Sequence, residues 1–344
     1  MKIVVLAGGI SSERDVSLSS GGMIYHAFRK NGHQAILLDV YLGLEGDTEG
    51  IFERETDWAA RVGAVGEDCP DLEAVKALRK DGGSGFFGPN VLEICREADC
   101  VFLALHGASG EDGRIQACFD LLGIPYTGAD FVGSCLAMDK GITKDLFLAH
   151  QIPTPSGFRL KKGEREQEEI SWPCIVKTCC GGSSIGVCIA RDEKEYGKAK
   201  EEAFRYGDEV IVEQYIKGRE FSVGVMAGKA LPVIEMAPKE GFYDYRNKYQ
   251  AGTTVETCPA LIPGEKAGEM QNIAERVFTA LRLKNYARMD FVMNDRGEVF
   301  CLEANTLPGM TATSLLPQEA AAAGMDFGQL CEAILRQAVP AGAE

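Results

Sequence analysis

An N-terminal open parallel α/β domain followed by α+β modules is the fold class this sequence predicts, and three observations carry it. Ile3, Val4, Val5 and Leu6 form an unbroken apolar run, the pattern of a parallel strand buried on both faces. A turn at Gly8 and Gly9, a helical stretch and a second apolar run at 35–39 follow, which is the order of a βαβ unit. From Pro173 onward the pattern changes to short period-two runs joined by Gly-rich turns, the mark of antiparallel hairpins.

The first helix is expected over 17–30, stopped by Asn31 and Gly32. A polar, Gly-containing stretch at 43–90 holds one helical segment, 72–79, and carries no assignable role. A third buried strand falls at 100–105, then a helix at 114–122 that ends at Gly123 with Pro125 beyond. A single helix is expected over 134–150, broken by Pro153 and Pro155. Strands follow at 174–177, 187–189, 210–215, 221–226 and 230–234, with a helix at 193–205. The last third holds a helix at 264–281, a hairpin at 287–305 and a terminal helix at 326–337. There is no internal repeat and no low-complexity tract. The chain divides on this reading into 1–130, 131–222 and 223–344.

With 344 residues, 45% hydrophobic and 25% charged, the composition is that of a globular protein too long for one small core. The formal charge of −15 argues against nucleic acid or an anionic membrane as partner, because backbone-phosphate binding needs clustered Lys and Arg. A nucleotide site is not excluded, since a few local cations and aimed N–H groups suffice. The apolar start is too short for a signal peptide, and no run is suited to span a bilayer. The 12 cysteines lack a C-x-x-C pair and several sit in apolar runs, so they read as buried hydrophobes in a reducing, cytoplasmic setting.

Four constellations carry chemistry. In the first, Lys177 ends a strand and a loop through Gly181, Gly182, Ser183 and Ser184 leads to Gly186 and a second strand. Glycines let backbone N–H groups approach phosphate oxygens, and the lysine adds a point charge. The lysine precedes the glycines, so this is no Walker loop; a plain hairpin loop is the blander alternative. The second is the hairpin with Arg288, Asp290, Glu303 and Asn305, whose alternate spacing can bring two carboxylates and an amide to one face beside an arginine. Hard oxygens of this kind suit Mg²⁺; a solvated salt-bridged face is the rival. The third is the strand with Glu213, Gln214 and Ile216, then Glu220, where a strand edge can meet a base and a carboxylate a ribose; alone, the signal is weak and reads rather as a buried strand with a polar edge. The fourth pairs the loop around Glu13 with the loop from His106 to Gly113. Both follow strands, where ligands sit in open α/β sheets, although Asp112 also reads as a helix cap. The glycine spacing after the first strand is not G-x-G-x-x-G, which argues against a dinucleotide oxidoreductase.

These motifs resemble the D-alanine-D-alanine ligases of the ATP-grasp superfamily. The matching blocks include GGISSERDVSLSSG (8–21), HGASGEDGRIQ (106–116), MDK (138–140), KTCCGGSSIGV (177–187), FYDYRNKY (242–249), ARMDF (287–291) and LEANTLPGMTATSLLP (302–317). They stand in family order and span nearly the whole chain. The departures are the long 43–90 stretch and Thr178, Cys179, Cys180 and Gln214, which replace commoner family choices. Since a nucleotide can be held there through the backbone, these substitutions change little.

The resemblance implies a two-module ATP-grasp fold behind the N-terminal domain, and ligation of two D-alanines through a D-alanyl phosphate for peptidoglycan precursors. ATP would be held by Lys140, Lys177, Ser183, Ser184, Gly186, Glu213, Gln214, Ile216, Glu220 and Lys248. Two Mg²⁺ (or Mn²⁺) would sit on Asp290, Glu303 and Asn305. Glu13 would take the ammonium of the first D-alanine, with Ser17, His106, Gly309 and Ser314 near the substrates. Arg288 and the Gly309 N–H would face the oxyanion. A lid over 241–258 would carry Tyr249, hydrogen-bonded toward Ser183 and Glu13. The resemblance also implies a homodimer without nucleic-acid or membrane partners. A D-alanine-D-lactate or D-alanine-D-serine ligase is the alternative; the presence of Tyr249 on the lid favours the dipeptide. A non-catalytic two-lobed binding protein would leave Asp290, Glu303 and Asn305 without purpose.

Overall fold

The computed structural model describes residues 1–339 except 61, 64, 67–69, 167–168, 183–185 and 240–251. The chain folds into two compact units. Unit 1 comprises 1–131, 284–287 and 306–344, and unit 2 comprises 132–283 and 288–305.

Unit 1 opens with β1 (Lys2–Ala7), α1 (Arg14–Lys30) and β2 (Gln34–Asp39), followed further on by β3 (Cys100–Leu103). The strands form a parallel sheet in the order β2-β1-β3. Ile3, Val4, Val5 and Leu6 are wholly buried, which is why the run is unbroken rather than alternating. Helix α1 starts at Arg14, one turn earlier than the pattern predicts. It lies on the sheet through Gly21, where a Cβ would stand 2.7 Å from the Ala7 Cβ. The 43–90 stretch is anchored at its base. A Cβ on Gly43 would fall 2.4 Å from the Pro89 carbonyl oxygen, and Gly88 N donates to Val40 O at 2.8 Å. The helix Arg114–Leu122 ends as predicted at Gly123, which is left-handed at φ 67°. The terminal helix Phe327–Ala338 carries a reciprocal Asp326–Gln329 capping box and packs on α1.

In unit 2 the single helix expected over 134–150 is two, Phe131–Met138 and Lys140–Ala149. Asp139 is extended (φ −86°, ψ 100°), and its side chain caps the second helix by accepting from Ile142 N at 3.0 Å. The next residue, Lys140, donates its N–H to Cys179 O at 2.9 Å. The break therefore ties the helix start to the Gly/Ser loop. The strands β4 (Gly157–Lys161), β5 (Cys174–Thr178), β6 (Val187–Ala190) and β7 (Glu209–Gln214) form an antiparallel sheet ordered β4-β7-β5-β6. Cys174, Val176, Val210 and Val212 pack on the helix Glu193–Ala203 through Tyr196, Ala199 and Ala203. Their alternates, Ile175, Lys177 and Glu213, face the other way, as a period of two requires.

A second sheet contains β8 (Gly218–Met226), β9 (Lys229–Ala230), β10 (Ile234–Pro238), β11 (Thr254–Thr257), β12 (Tyr286–Asn294) and β13 (Val299–Asn305). Its order is β11-β10-β8-β12-β13, with β9 beside β8. The one strand expected over 230–234 is thus divided. Pro232 lies in the gap and has no N–H to offer a ladder. The helix Gly264–Ala280 covers β8.

Candidate functional site

In unit 2 a cavity of about 180 Å³ is lined by Lys140, Lys177, Glu213, Glu220, Asp290 and Glu303, with Gln214 and Ile216 at its wall. Residues from six separate stretches thus meet in one place. Lys177 and Glu213 come from adjacent strands, where Lys177 opposes Ile211 and Ile175 opposes Glu213. Asp290 and Glu303 are direct partners across the β12–β13 pair, and Arg288 opposes Asn305. The hairpin expectation therefore holds to the register. A bulge follows Asp290, after which Phe291 opposes Cys301. Directly opposed residues share a face of the sheet, which sets both carboxylates toward the cavity.

Charge is tightly managed. Arg288 grips Asp290 with a fork, Nε to Oδ1 and Nη2 to Oδ2, each 2.9 Å. Asn305 Nδ2 donates to Asp290 Oδ2 at 3.0 Å, and the buried Ser222 hydroxyl donates to Oδ1 at 2.8 Å. Lys140 Nζ lies 3.3 Å from Glu303 Oε2 and donates to Gly181 O at 2.7 Å. Glu213 is 4% exposed and sits between two ammonium groups, Lys177 at 2.6 Å from Oε1 and Lys144 at 2.7 Å from Oε2. Burial alone would raise its carboxyl, but Lys177 and Lys144 outweigh that and hold it below the ordinary glutamate value. Burial pulls the Lys144 ammonium down; Glu213 opposes the fall and Lys177 adds to it.

Among the residues expected at this site, Gly186 has φ 71° and backs onto Tyr206, 2.9 Å from where a Cβ would be. Ser183, Ser184, Lys248 and Tyr249 lie outside the described residues. Two contributors escaped the sequence reading. Lys144 carried a signal, standing four residues after Lys140 and so on the same helix face. Ser222 carried none, because its partner Asp290 is 68 residues away.

Unit 1 gathers the other expected residues. Glu13 is buried, with Oε2 only 3.2 Å from where a Cβ on Gly107 would stand. The loops after β1 and β3 thus meet at one sheet end, where ligands of open α/β sheets bind. Ser17 is fully buried; its hydroxyl accepts from Gly8 N at 2.8 Å and donates to Ala104 O at 2.7 Å, which joins those two loops. His106 is buried beside them. Glu111 accepts from Gly107 N at 2.7 Å and from Leu307 N at 3.3 Å. Ser20 Oγ accepts from Met310 N at 3.1 Å. These bonds fix the 307–314 loop, in which Ser314 Oγ accepts from Thr311 N at 2.9 Å and Gly309 approaches it to 2.7 Å from a would-be Cβ. Asp112 also serves the local backbone, accepting from Ser109 N and Arg114 N at 2.8 and 3.2 Å.

Comparison with known proteins fits this inventory. Residues 2–129 match the family described as D-ala D-ala ligase N-terminus, and residues 142–336 match D-ala D-ala ligase C-terminus. A D-alanine–D-alanine ligase of Pediococcus pentosaceus is 45% identical over 345 residues, covering 97% of each chain. One of Lacticaseibacillus casei is 44% identical, covering 96% of this chain and 93% of the relative. The crystal structure of a Bacillus anthracis D-alanine–D-alanine ligase complexed with ATP superposes with a TM-score of 0.76 at 29% identity, covering 98% and 97% of the two chains. With both halves matched and the ATP-grasp architecture shared, the chain belongs to the D-alanine–D-alanine ligase family.

Proposed function

We propose that the protein ligates two D-alanine molecules to D-alanyl-D-alanine with cleavage of ATP to ADP and phosphate, for peptidoglycan precursor synthesis. The observation that carries this reading is the unit 2 cavity in which two lysines and two facing carboxylates converge. The relatives' names supply the substrate.

The chemistry assigns each group a task. A carboxylate resists attack by an amine because oxide is a poor leaving group. Transfer of the γ-phosphoryl to a D-alanine carboxylate oxygen gives an acyl phosphate and ADP. The amine of the second D-alanine then attacks the acyl carbon and loses a proton, and phosphate departs. Lys140 and Lys177 bind phosphate oxygens and offset the charge that develops during transfer. β7 lies between β4 and β5 and so has no free edge; Gln214, its last residue, and Ile216 just beyond it meet the base from the strand's end, and Glu220 takes the ribose side. Glu13 receives the ammonium of the first D-alanine, and Ser314 and the Gly309 N–H serve substrate carboxylate and oxyanion. Arg288 also serves the oxyanion, a role for which fixed donors are effective in a dry site. In this scheme 1–130 is the substrate-binding domain, and 131–222 and 223–344 are the central and C-terminal modules.

The donor set of unit 2 fits a hard divalent cation. Asp290 and Glu303 face each other in register, and Asn305, whose Nδ2 donates to Asp290, would bring an amide oxygen to them by turning its amide over. Among the described residues no three acidic, His or Cys side chains converge, so the remaining ligands would be water and phosphate. Two Mg²⁺ or Mn²⁺ ions held there would, when bound, neutralise phosphate charge. Among the described residues no helix is long and apolar enough to cross a membrane; a cytoplasmic homodimer completes the proposal, and sedimentation velocity tests the dimer.

The deciding experiment incubates the purified protein with ATP, Mg²⁺ and D-alanine. ADP, phosphate and the dipeptide are expected in equal amounts. ATP turnover without dipeptide rules the reading out.

A further inference from the structure

Lys144 has no task in the scheme above, yet it is one of the most enclosed charges in unit 2. It stands one helical turn after Lys140. Its Nζ lies 2.7 Å from Glu213 Oε2, 2.6 Å from the Pro155 carbonyl oxygen and 3.0 Å from Thr154 Oγ1. Its hydrogen bonds go to the Pro155 carbonyl oxygen and Thr154 Oγ1, and its contact with Glu213 is an ion pair rather than an aligned hydrogen bond. Lys177 Nζ is 2.6 Å from the other oxygen of the same carboxylate and lines the cavity. One carboxylate thus stands between two ammonium groups, and the trio carries one net positive charge. Without Lys144, Lys177 and Glu213 would form a neutral pair, and the cavity-facing ammonium would be cancelled by a carboxylate in contact with it. All three side chains are buried, so water would screen little of that cancellation.

We propose, resting on the nucleotide reading above, that Lys144 is a positioning residue that occupies one oxygen of Glu213 and so leaves Lys177 with uncompensated positive charge for the nucleotide's phosphate chain. The downward pull of burial and of Lys177 on the Lys144 ammonium accords with this. Two like charges around one buried carboxylate oppose each other, and a purely structural staple would need only one of them.

The test is calorimetric titration of ADP and of adenosine into the full chain. The ratio of their dissociation constants isolates the phosphates from the base and sugar. In the wild type ADP is expected to bind at least about tenfold more tightly than adenosine, and Lys144→Met is expected to lower that ratio about tenfold, equivalent to about 1.4 kcal/mol. The double variant Lys144→Met with Glu213→Gln removes both charges, leaves Lys177 with its own, and is expected to return the ratio to within about threefold of wild type. A ratio unchanged in Lys144→Met, or a double variant no better than the single one, overturns the proposal. Should Lys144→Met fail to fold, Glu213→Gln alone gives the trio two net charges and is expected to raise the ratio; an unchanged or lowered ratio overturns the proposal equally. A wild type that does not distinguish ADP from adenosine brings down the nucleotide reading, and this inference with it.

Discussion

Two adjacent glycines in α1 respond to alanine with opposite signs. On Gly21 a Cβ would stand 2.7 Å from the Ala7 Cβ and 2.8 Å from Leu37 Cδ1, about 1 Å inside ordinary carbon contact. Leu37 can turn, but the Ala7 Cβ is fixed to the backbone of β1, so α1 must lift from the sheet. Overpacking of this kind costs about 1–3 kcal/mol, and a rigid neighbour places it in the upper half. The gain in helix propensity returns about 1 kcal/mol, which leaves a net loss of about 1–2 kcal/mol. On Gly22 the nearest atom would be Val62 Cγ1 at 3.5 Å, an ordinary contact. There the propensity gain stands alone, and Gly22→Ala is expected to stabilise by about 0.5–1 kcal/mol. The sequence has two tryptophans, Trp58 in unit 1 and Trp172 in unit 2. In a Trp172→Phe background, Trp58 fluorescence therefore reports unit 1 alone. For a unit of this size each kcal/mol moves Tm by about 2–4 °C, so Gly21→Ala should melt about 2–8 °C lower and Gly22→Ala about 1–4 °C higher. Because α1 begins beside Glu13, Gly21→Ala should also raise KM for D-alanine. Shifts of the same sign in both variants, or a stabilised Gly21→Ala, refute the packing argument.

Further outcomes are open to measurement. Asp290→Asn should lower turnover by about 100-fold or more, since it removes the carboxylate that Arg288, Asn305 and Ser222 converge on; activity within twofold of wild type would dismiss the phosphate and metal assignments. Glu13→Gln should raise KM for the first D-alanine about tenfold or more while ADP titrations stay unchanged, and an equal loss in both would mean the fold, not the substrate ammonium, depends on Glu13. Glu213 titrates below the ordinary 4.5 in the folded chain, so its contribution to stability is complete above that pH and disappears as pH falls through its folded value; denaturant midpoints of Glu213→Gln should depend less on pH below 4.5 than those of wild type. Burial pushes the thiols of Cys95, Cys100 and Cys179 up to about 12, so a native thiol titration at pH 8 should label the exposed Cys135 and Cys180 first; early labelling of Cys95 or Cys100 would contradict the packing of unit 1.

Much of the fold was legible because it is locally encoded. The unbroken run at 3–6 could only suit a strand covered on both faces, and the βαβ order followed. Alternation in 174–177 and 210–215 separated the side chains that meet the helix Glu193–Ala203 from those that meet the cavity. The pairing of Asp290 with Glu303 was readable because a short turn joins their strands and sets the register. The stretch 134–150 reads as one helix because its composition is continuous. The break at Asp139 depends on a bridge to Cys180, which lies far along the chain.

By itself, then, the order of residues determined the chemical inventory: which carboxylates, lysines and glycines exist, and which near neighbours share a face. Only the tertiary structure decided the electrostatic partnerships. Lys144, Lys177 and Glu213 belong to separate elements, and nothing in their spacing says that one carboxylate serves both ammonium groups. Local periodicity follows from backbone geometry within a few residues, whereas the meeting of distant charges follows from how whole sheets and helices pack, and a buried charge takes its character from whatever that packing sets beside it.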